Sequence, residues 1–195
     1  VAAGQLSASL GDFQGLTSNG STWTELTNMP YDADDPNYRD PQFSNSSGGW
    51  GFVAGRMTGL EAGDGFLLAG GANGGVFRKK LNNASDPGDD GAWEPISDGI
   101  LSLSTGDLEY HNGALWYATG EANTGATSYV GAGMYVNPRA ASGSLATAQF
   151  TEADRLGGVE LESRGINKAR IYDVNHWAYA ANTRGLWRQP LNDGN

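Results

Sequence analysis

Three carboxylates stand on or beside short apolar segments, where they could take part in acid–base chemistry. Glu121 follows an apolar run and lies in the turn Thr119-Gly120-Glu121. Asp107 and Glu109 are two residues apart, so they would share one face of a strand. Glycoside hydrolysis needs two carboxyl groups about 5–10 Å apart. These three residues are the candidate catalytic groups. The alternatives are a turn cap for Glu121 and a solvated strand face for Asp107 and Glu109.

A second set of polar residues could bind a ligand. Arg56 and Arg170 fall on segments predicted to be inner strands, where they could line a central channel and meet an anionic group. Asn123 lies two residues after Glu121, whose carboxylate could also accept a sugar hydroxyl. The candidate ligand-binding residues are therefore Arg56, Glu121, Asn123 and Arg170.

The acidic loop at residues 32–40, DADDPNYRD, raises the question of a metal. Calcium takes about six to eight oxygen ligands, which loops rich in Asp and Asn supply. Asp32, Asp34 and Asp35 are the candidate ligands, but Pro36 occupies the place of a further ligand and no glycine follows for the sharp turn. The alternative is a solvated loop. We expect no other cofactor.

These residues belong to a pattern that recurs three times along the chain. Each copy has a short apolar strand ending near an alanine (Ala69, Ala118 and Ala180) and then an asparagine. A Gly-apolar-aromatic triplet then opens a second strand. An internal period of about 40–60 residues, with several short strands in each copy, is typical of propeller blades. The three triplets are Gly75-Val76-Phe77, Gly133-Met134-Tyr135 and Gly185-Leu186-Trp187.

Two further strands complete each copy of the pattern. An apolar segment precedes each alanine, at residues 57–60, 108–110 and 169–172, and an aromatic residue follows the triplet at Trp93 and Phe150. We therefore predict an all-β fold, a β-propeller of four-stranded antiparallel blades. About three blades are present, at residues 51–97, 99–152 and 156–195. The alternative is a β-sandwich in which short strands resemble one another by chance.

The segment at residues 23–26, WTEL, resembles the outer strand WEPI at 93–96. It could complete the third blade, which stops before its own outermost strand. Propellers have about four to eight blades. We therefore expect either a piece of a longer propeller, which we favour, or one share of a ring closed by other copies. Residues 28–49 form a long polar loop, a candidate binding loop or an insertion that contacts a neighbour.

Composition excludes several classes of partner. The net charge is −10, from 12 basic and 22 acidic residues, which disfavours binding to nucleic acid. No apolar run approaches the roughly 20 residues of a membrane-spanning helix. The chain has 30 glycines and no cysteine, so disulfides and thiolate metal sites are excluded. Its composition is typical of a secreted or cell-surface bacterial protein whose leader has been removed.

Several motifs together resemble the sialidase-like and sortilin-like propeller repeats, known as glycosyl-hydrolase-type repeats. They are GRMTGL, GGANGGVFRK, WEPISDG and TGEANTGATSYVGAGMY, and the resemblance covers about residues 48–189. It implies the propeller fold but no activity. The Asp-box of these families is degraded here, since LTSNGSTW keeps only Gly20, Thr22 and Trp23. Arg56, Arg170 and Tyr172 lack the spacing of a sialidase site.

The segment SSGGWGFVAGRMTGL, followed by FLLAGGANGGVFR, is similar to the opening of the propeller xyloglucan hydrolases. In those enzymes a catalytic aspartate precedes paired glycines, and here Ala72 stands at that position. The absence of this aspartate, together with the repeats and the incomplete ring, favours a secreted, non-catalytic binding or scaffold module for a carbohydrate or protein ligand. The alternatives are a divergent glycoside hydrolase and a structural subunit of an extracellular assembly, whose partners are other copies or the remainder of a longer chain.

Overall fold

The computed structural model describes residues 56–81, 92–122 and 130–191, and within these ranges the fold is all-β. The strands form three antiparallel sheets, each built from strands that follow one another along the chain. The all-β prediction is confirmed. Sheet 1 contains β1 (Met57–Gly63), β2 (Phe66–Gly71), β3 (Gly75–Lys80) and β4 (Trp93–Pro95); sheet 2 contains β5 (Thr105–His111), β6 (Ala114–Thr119), β7 (Met134–Asn137) and β8 (Arg155–Leu156); sheet 3 contains β9 (Ile166–Tyr172), β10 (Trp177–Asn182) and β11 (Gly185–Pro190).

Two-residue turns join the first two strands of sheets 1 and 2. Asp64 and Gly65 have φ angles of 48° and 77°, and Asn112 and Gly113 have 48° and 82°. Two successive positive φ angles are the geometry that Asp-Gly and Asn-Gly favour in tight hairpins. In sheet 3 the same connection is a short 3-10 helix that ends at His176 with a φ of 54°.

The repeated triplets occupy equivalent positions in the three sheets. In each sheet the middle residue of the triplet pairs with a small residue on the preceding strand, so the three hairpins share one register. The predicted hairpins are therefore confirmed. The pairs are Val76 with Gly70, Met134 with Ala118, and Leu186 with Ala181.

The alanine that ends the preceding strand is not equivalent in all three copies. Ala69 and Ala180 pair with the third residue of their triplets, Phe77 and Trp187. Ala118 instead pairs with the middle residue of its triplet, so it is offset by one position from the other two alanines. Because side chains alternate along a strand, this offset places Ala118 on the opposite face of its sheet.

The sheets pack face to face in chain order, with sheet 2 between the other two. We call the face of a sheet that meets the following sheet its front face and the opposite one its back face. The front of sheet 1 and the back of sheet 2 enclose one apolar cluster, and the front of sheet 2 and the back of sheet 3 enclose a second. The first cluster contains Leu68, Val76, Ile96, Leu108, Leu115, Tyr117, Tyr135 and Phe150, and the second contains Trp116, Ala118, Met134, Ile166, Ala169, Ile171, Ala178 and Ala180.

The first strands of the three sheets lie side by side, with β5 between β1 and β9. Their approach is close because glycines stand at the contacts. A Cβ atom at Gly59 would lie 2.8 Å from Cγ of Leu108, and one at Gly106 would lie 1.9 Å from the carbonyl oxygen of Ile166. A hydrogen bond from Thr58 Oγ1 to the carbonyl oxygen of Thr105, 2.8 Å long, also joins β1 to β5.

The outer strands show where the sequence interpretation differs from the structure. Sheet 2 ends with β8 at Arg155–Leu156, beyond the residue 152 boundary predicted for its blade. Phe150, expected to mark that strand, is instead fully buried against Tyr117, with ring centroids 5.7 Å apart. An aromatic residue that fills a core from a loop has the same sequence signature as one in a short strand. Segments 23–26 and 28–49 lie outside the described residues.

Gly106→Ala tests the close approach of the first strands. The new methyl group would collide with the backbone carbonyl of Ile166, which cannot move aside as a flexible side chain can. We expect the free energy of unfolding to fall by about 3 kcal/mol or more, measured by urea denaturation. Gly74→Ala is the matched control, since its Cβ would have only an atom of Phe77 nearby, at 3.8 Å, and should cost about 0.5 kcal/mol or less. Equal losses for the two variants would contradict this packing.

Candidate functional site

A row of charged side chains crosses the three first strands. Glu61 on β1, Glu109 on β5 and Arg170 on β9 occupy equivalent positions, because each pairs with the corresponding residue of the second strand in its sheet. Asp107 and Lys168 form a second equivalent pair, two residues earlier on β5 and β9. We call these five residues the charge row. Its carboxylates lie on sheets 1 and 2 and its cations on sheet 3.

Asp107 is the most enclosed member of the charge row, with 6% of its surface exposed. One of its oxygens accepts a hydrogen bond from Lys168 Nζ at 2.7 Å, and the other accepts the backbone N–H of Ala169 at 2.9 Å. The guanidinium of Arg170 lies 3.7 Å from the second oxygen. Asp107 therefore connects sheets 2 and 3 through both a backbone and a side-chain contact.

Glu109 and Glu61 continue the row toward sheet 1. Arg170 donates to a carboxylate oxygen of Glu109, and this ion pair is more open to solvent than the contacts of Asp107. The carboxylate of Glu109 lies close enough to Glu61 to repel it. Partial burial, followed by repulsion from Glu109, raises the pKa of Glu61 above its ordinary value, although Arg170 opposes the shift. Within the charge row, Arg170 therefore offsets the negative charge of Glu61 only in part.

Glu121 forms a separate ion pair with Arg56, the residue directly before β1. Its carboxylate is fully buried and accepts hydrogen bonds from both terminal nitrogens of Arg56. Nη2 lies 2.8 Å from Oε2, and Nη1 lies 3.3 Å from Oε1. Arg56 is half exposed. A two-pronged guanidinium–carboxylate contact fixes the geometry of both groups. Arg56 precedes β1, and Glu121 follows β6, so the pair also ties sheet 1 to sheet 2.

A groove of about 360 Å³ lies between the outer strands of sheets 2 and 3. Its walls are mainly apolar, with Met134 and Leu156 on one side and Ala180 and Trp187 on the other. Trp187 is 36% exposed, and the guanidinium of Arg164 lies 5.1 Å from the centre of its ring. Polar residues also line the groove, among them Glu160 and Gln189.

A further polar cluster closes the outer side of sheet 2. The Tyr135 hydroxyl donates to Glu152, with distances of 3.0 and 3.2 Å to its two oxygens. Burial, followed by this hydrogen bond to a carboxylate, raises the pKa of Tyr135 to about 12. Nearby, Arg155 donates to Glu162. Glu152 also accepts the backbone N–H of Leu101 at 2.7 Å. These contacts hold the connection after β4 against the outer edge of sheet 2.

The structure groups the sequence-predicted residues into two separate sites. Asp107, Glu109 and Arg170 come together in the charge row, and Arg56 and Glu121 form their own ion pair. Asn123 and the calcium candidates Asp32, Asp34 and Asp35 lie outside the described residues.

Sequence reasoning did not single out Glu61 or the groove beside Trp187. The position of Glu61 could have been found by aligning the first strands, because it occupies the place of Glu109 in the preceding copy. The groove had no such signal. Within the described ranges, no group of three or more His, Cys, Asp or Glu side chains could hold a metal ion. Among the same residues, no helix has the length and apolar character needed to cross a bilayer.

Comparison with known proteins adds no family. Neither a protein-family model nor a curated protein matches the chain. Among solved structures, the chain is similar to the crystal structure of the computationally designed Ika4 protein, with a TM-score of 0.37 and 12% sequence identity, over 72% of this chain and 94% of that chain. A similarity this weak carries no argument about fold or function.

Asp107→Ala tests whether this carboxylate stabilises the contact between sheets 2 and 3. The variant leaves the N–H of Ala169 without its acceptor, and we expect the free energy of unfolding to fall by about 1–3 kcal/mol. Asp107→Asn keeps an acceptor oxygen and should lose less. Glu109→Gln, at a more open contact, is the control and should cost under about 1 kcal/mol. If urea denaturation gives equal losses for the Ala and Asn variants, the backbone hydrogen bond contributes nothing.

Tyr135→Phe tests the buried phenol through the pH dependence of unfolding. The pKa of Tyr135 is about 12 in the folded protein and near 10 in the unfolded chain, so the unfolded state loses this proton first. Wild-type stability should therefore fall as the pH rises from about 10 toward 12, and Tyr135→Phe should lack this contribution. The stability advantage of the wild type over the variant should shrink across that interval and stay constant near pH 8. A constant difference throughout would contradict the shift.

Proposed function

We propose that this chain is part of a secreted β-propeller that binds carbohydrate without cleaving it. The observation that carries the proposal is the groove between sheets 2 and 3, with Trp187 in its wall. The groove volume of about 360 Å³ falls within the range of small-ligand sites and suits one or two sugar rings. A sugar ring has an apolar face and polar edges, and these match the apolar walls and the polar side chains of Glu160 and Gln189.

The propeller interpretation is supported by the equivalence of the three sheets. Their first strands are neighbours, their triplets share one register, and each front face meets the back face of the next sheet. Successive antiparallel sheets stacked in this way are the building unit of a propeller. The resemblance to glycosyl-hydrolase-type repeats points in the same direction.

Binding is favoured over hydrolysis by the way two of the three candidate acids, Asp107 and Glu121, are used. Both oxygens of Asp107 and both oxygens of Glu121 already accept hydrogen bonds from the protein. A general acid or nucleophile must direct an oxygen at the substrate. The position of the xyloglucan hydrolase aspartate holds Ala72, which has no acid–base chemistry. The net charge of −10 further favours a neutral sugar over an acidic one.

Trp187→Ala tests the carbohydrate site. We expect wild-type protein to bind a neutral oligosaccharide from a glycan array, and the variant to bind it about tenfold more weakly or worse, because stacking on an aromatic ring is lost. Tyr172→Ala is the matched control, since Tyr172 is also an exposed aromatic residue but lies on a first strand, away from the groove. Isothermal titration calorimetry with the best array ligand gives the affinities.

Three outcomes would count against the carbohydrate proposal. The wild type could bind no glycan, the Trp187 variant could bind as tightly as the wild type, or the Tyr172 control could lose as much affinity. Release of reducing sugar from the bound oligosaccharide would instead favour a glycoside hydrolase, and Glu121→Gln, Asp107→Asn and Glu109→Gln would then identify the acid.

A further inference from the structure

The front face of sheet 3 is exposed where the equivalent faces are buried. The middle residue of the triplet is 0% exposed at Val76 and 2% exposed at Met134, because the next sheet covers each of them. Leu186 occupies the same position in sheet 3 and is 74% exposed. Sheet 3 therefore presents an apolar residue at the site that, in sheets 1 and 2, makes contact with a following sheet.

The back face of sheet 1 shows the complementary exposure. Leu60 on β1 corresponds to Leu108 on β5 and Ala169 on β9, since each pairs with the equivalent residue of the second strand. Leu108 and Ala169 are 1% and 0% exposed because they pack on the preceding sheet. Leu60 is 66% exposed. The two ends of the stack thus carry the two halves of one repeated contact.

The charge row makes the two ends electrostatically complementary. In the interface of sheets 2 and 3, acids of the front face meet cations of the following first strand. Sheet 3 ends the row with the cations Lys168 and Arg170, and sheet 1 begins it with Glu61. Repeating the same geometry once more would bring Glu61 next to Arg170.

Arg188 marks the same surface on the third strand of sheet 3. Its equivalent in sheet 1 is Arg78, and both guanidiniums stack on the equivalent aromatic residue, Phe66 at 4.8 Å and Trp177 at 4.2 Å. Arg78 also donates to two backbone carbonyls in the connection between β7 and β8 of the following sheet, those of Ala140 and Gly143, at 3.1 and 2.9 Å. No sheet follows sheet 3 among the described residues, so the position that Arg78 uses to contact the next sheet is open at Arg188.

We infer that the front of sheet 3 docks on the back of sheet 1 of a second copy, so that chains associate head to tail. The contact would place Leu186 of one copy in the environment of Val76 and Met134, and Leu60 of the other in that of Leu108. Such a contact is heterologous, so it builds a closed ring if the rotation closes and a filament if it does not. The association follows from the repeat equivalence alone; closure into a ring rests on the proposed propeller.

Leu186→Lys and Leu60→Lys test the contact when they are used separately and together. Both residues are exposed, so neither variant removes a core contact. Light scattering on the full chain should give the wild type a mass that is a multiple of 20.5 kDa. Each variant alone lacks one half of every contact and should have the single-chain mass. An equal mixture keeps one intact pair of faces and should give twice that mass.

Leu101→Lys is the matched control, because Leu101 is 73% exposed but lies on neither end face. It should assemble like the wild type. A single-chain mass for the wild type at every concentration, a wild-type mass for either end variant alone, or a mixture that stays at the single-chain mass would each overturn the inference. Wild-type masses that rise steadily with concentration would support head-to-tail association and argue against ring closure.

Glycan binding, measured on the wild type and on Leu186→Lys alongside their masses, separates this inference from the proposed function. Binding retained in a wild-type protein that never assembles would overturn only the head-to-tail contact. Assembly without any glycan binding would contradict only the carbohydrate site.

Discussion

The close approach of neighbouring first strands sets the geometry of the rest of the structure. Gly59 and Gly106 allow β1, β5 and β9 to pack with backbone and side chains in direct contact, where a single methyl group would collide. With these strands fixed, apolar side chains of the second and third strands fill the spaces between neighbouring sheets. Tyr117 and Tyr135 fill the space between sheets 1 and 2, and Trp116 fills part of the space between sheets 2 and 3. Glycines where the first strands meet and aromatic residues on the second and third strands are therefore two consequences of one packing arrangement.

The same arrangement separates the charge row from the groove. Along the first strands, the short distance between sheets lets Asp107 reach the backbone of β9 and lets side chains of opposite charge meet across the interface. At the outer strands the sheets are farther apart, and the space between Leu156 and Trp187 stays open. Charge thus serves to join the sheets, and the groove lies where no side chain fills the gap between sheets 2 and 3.

Local sequence patterns predicted the hairpins but could not predict the contacts between residues that are distant in the chain. The Gly-apolar-aromatic triplets located β3, β7 and β11 because strand alternation and turn chemistry act over a few residues. The offset of Ala118 was missed because a small residue fits either face of a strand. The pairing of Arg56 with Glu121, and of Lys168 with Asp107, depends on which sheets become neighbours. No pattern in one sheet contains that information, so the candidate acids could be found but not their partners.

Sheet 2 is the one sheet among the described residues with both faces covered by another sheet. In a single, unassembled chain, where each sheet contacts only its neighbours, opening begins at the end sheets and the inner sheet opens last. The amide hydrogens of β5 and β6 should therefore exchange with solvent only when the whole array unfolds. Those of β11, whose Leu186 faces solvent, are released by local opening. The order of the sheets along the chain thus sets a gradient of lifetimes, with the longest in the middle sheet.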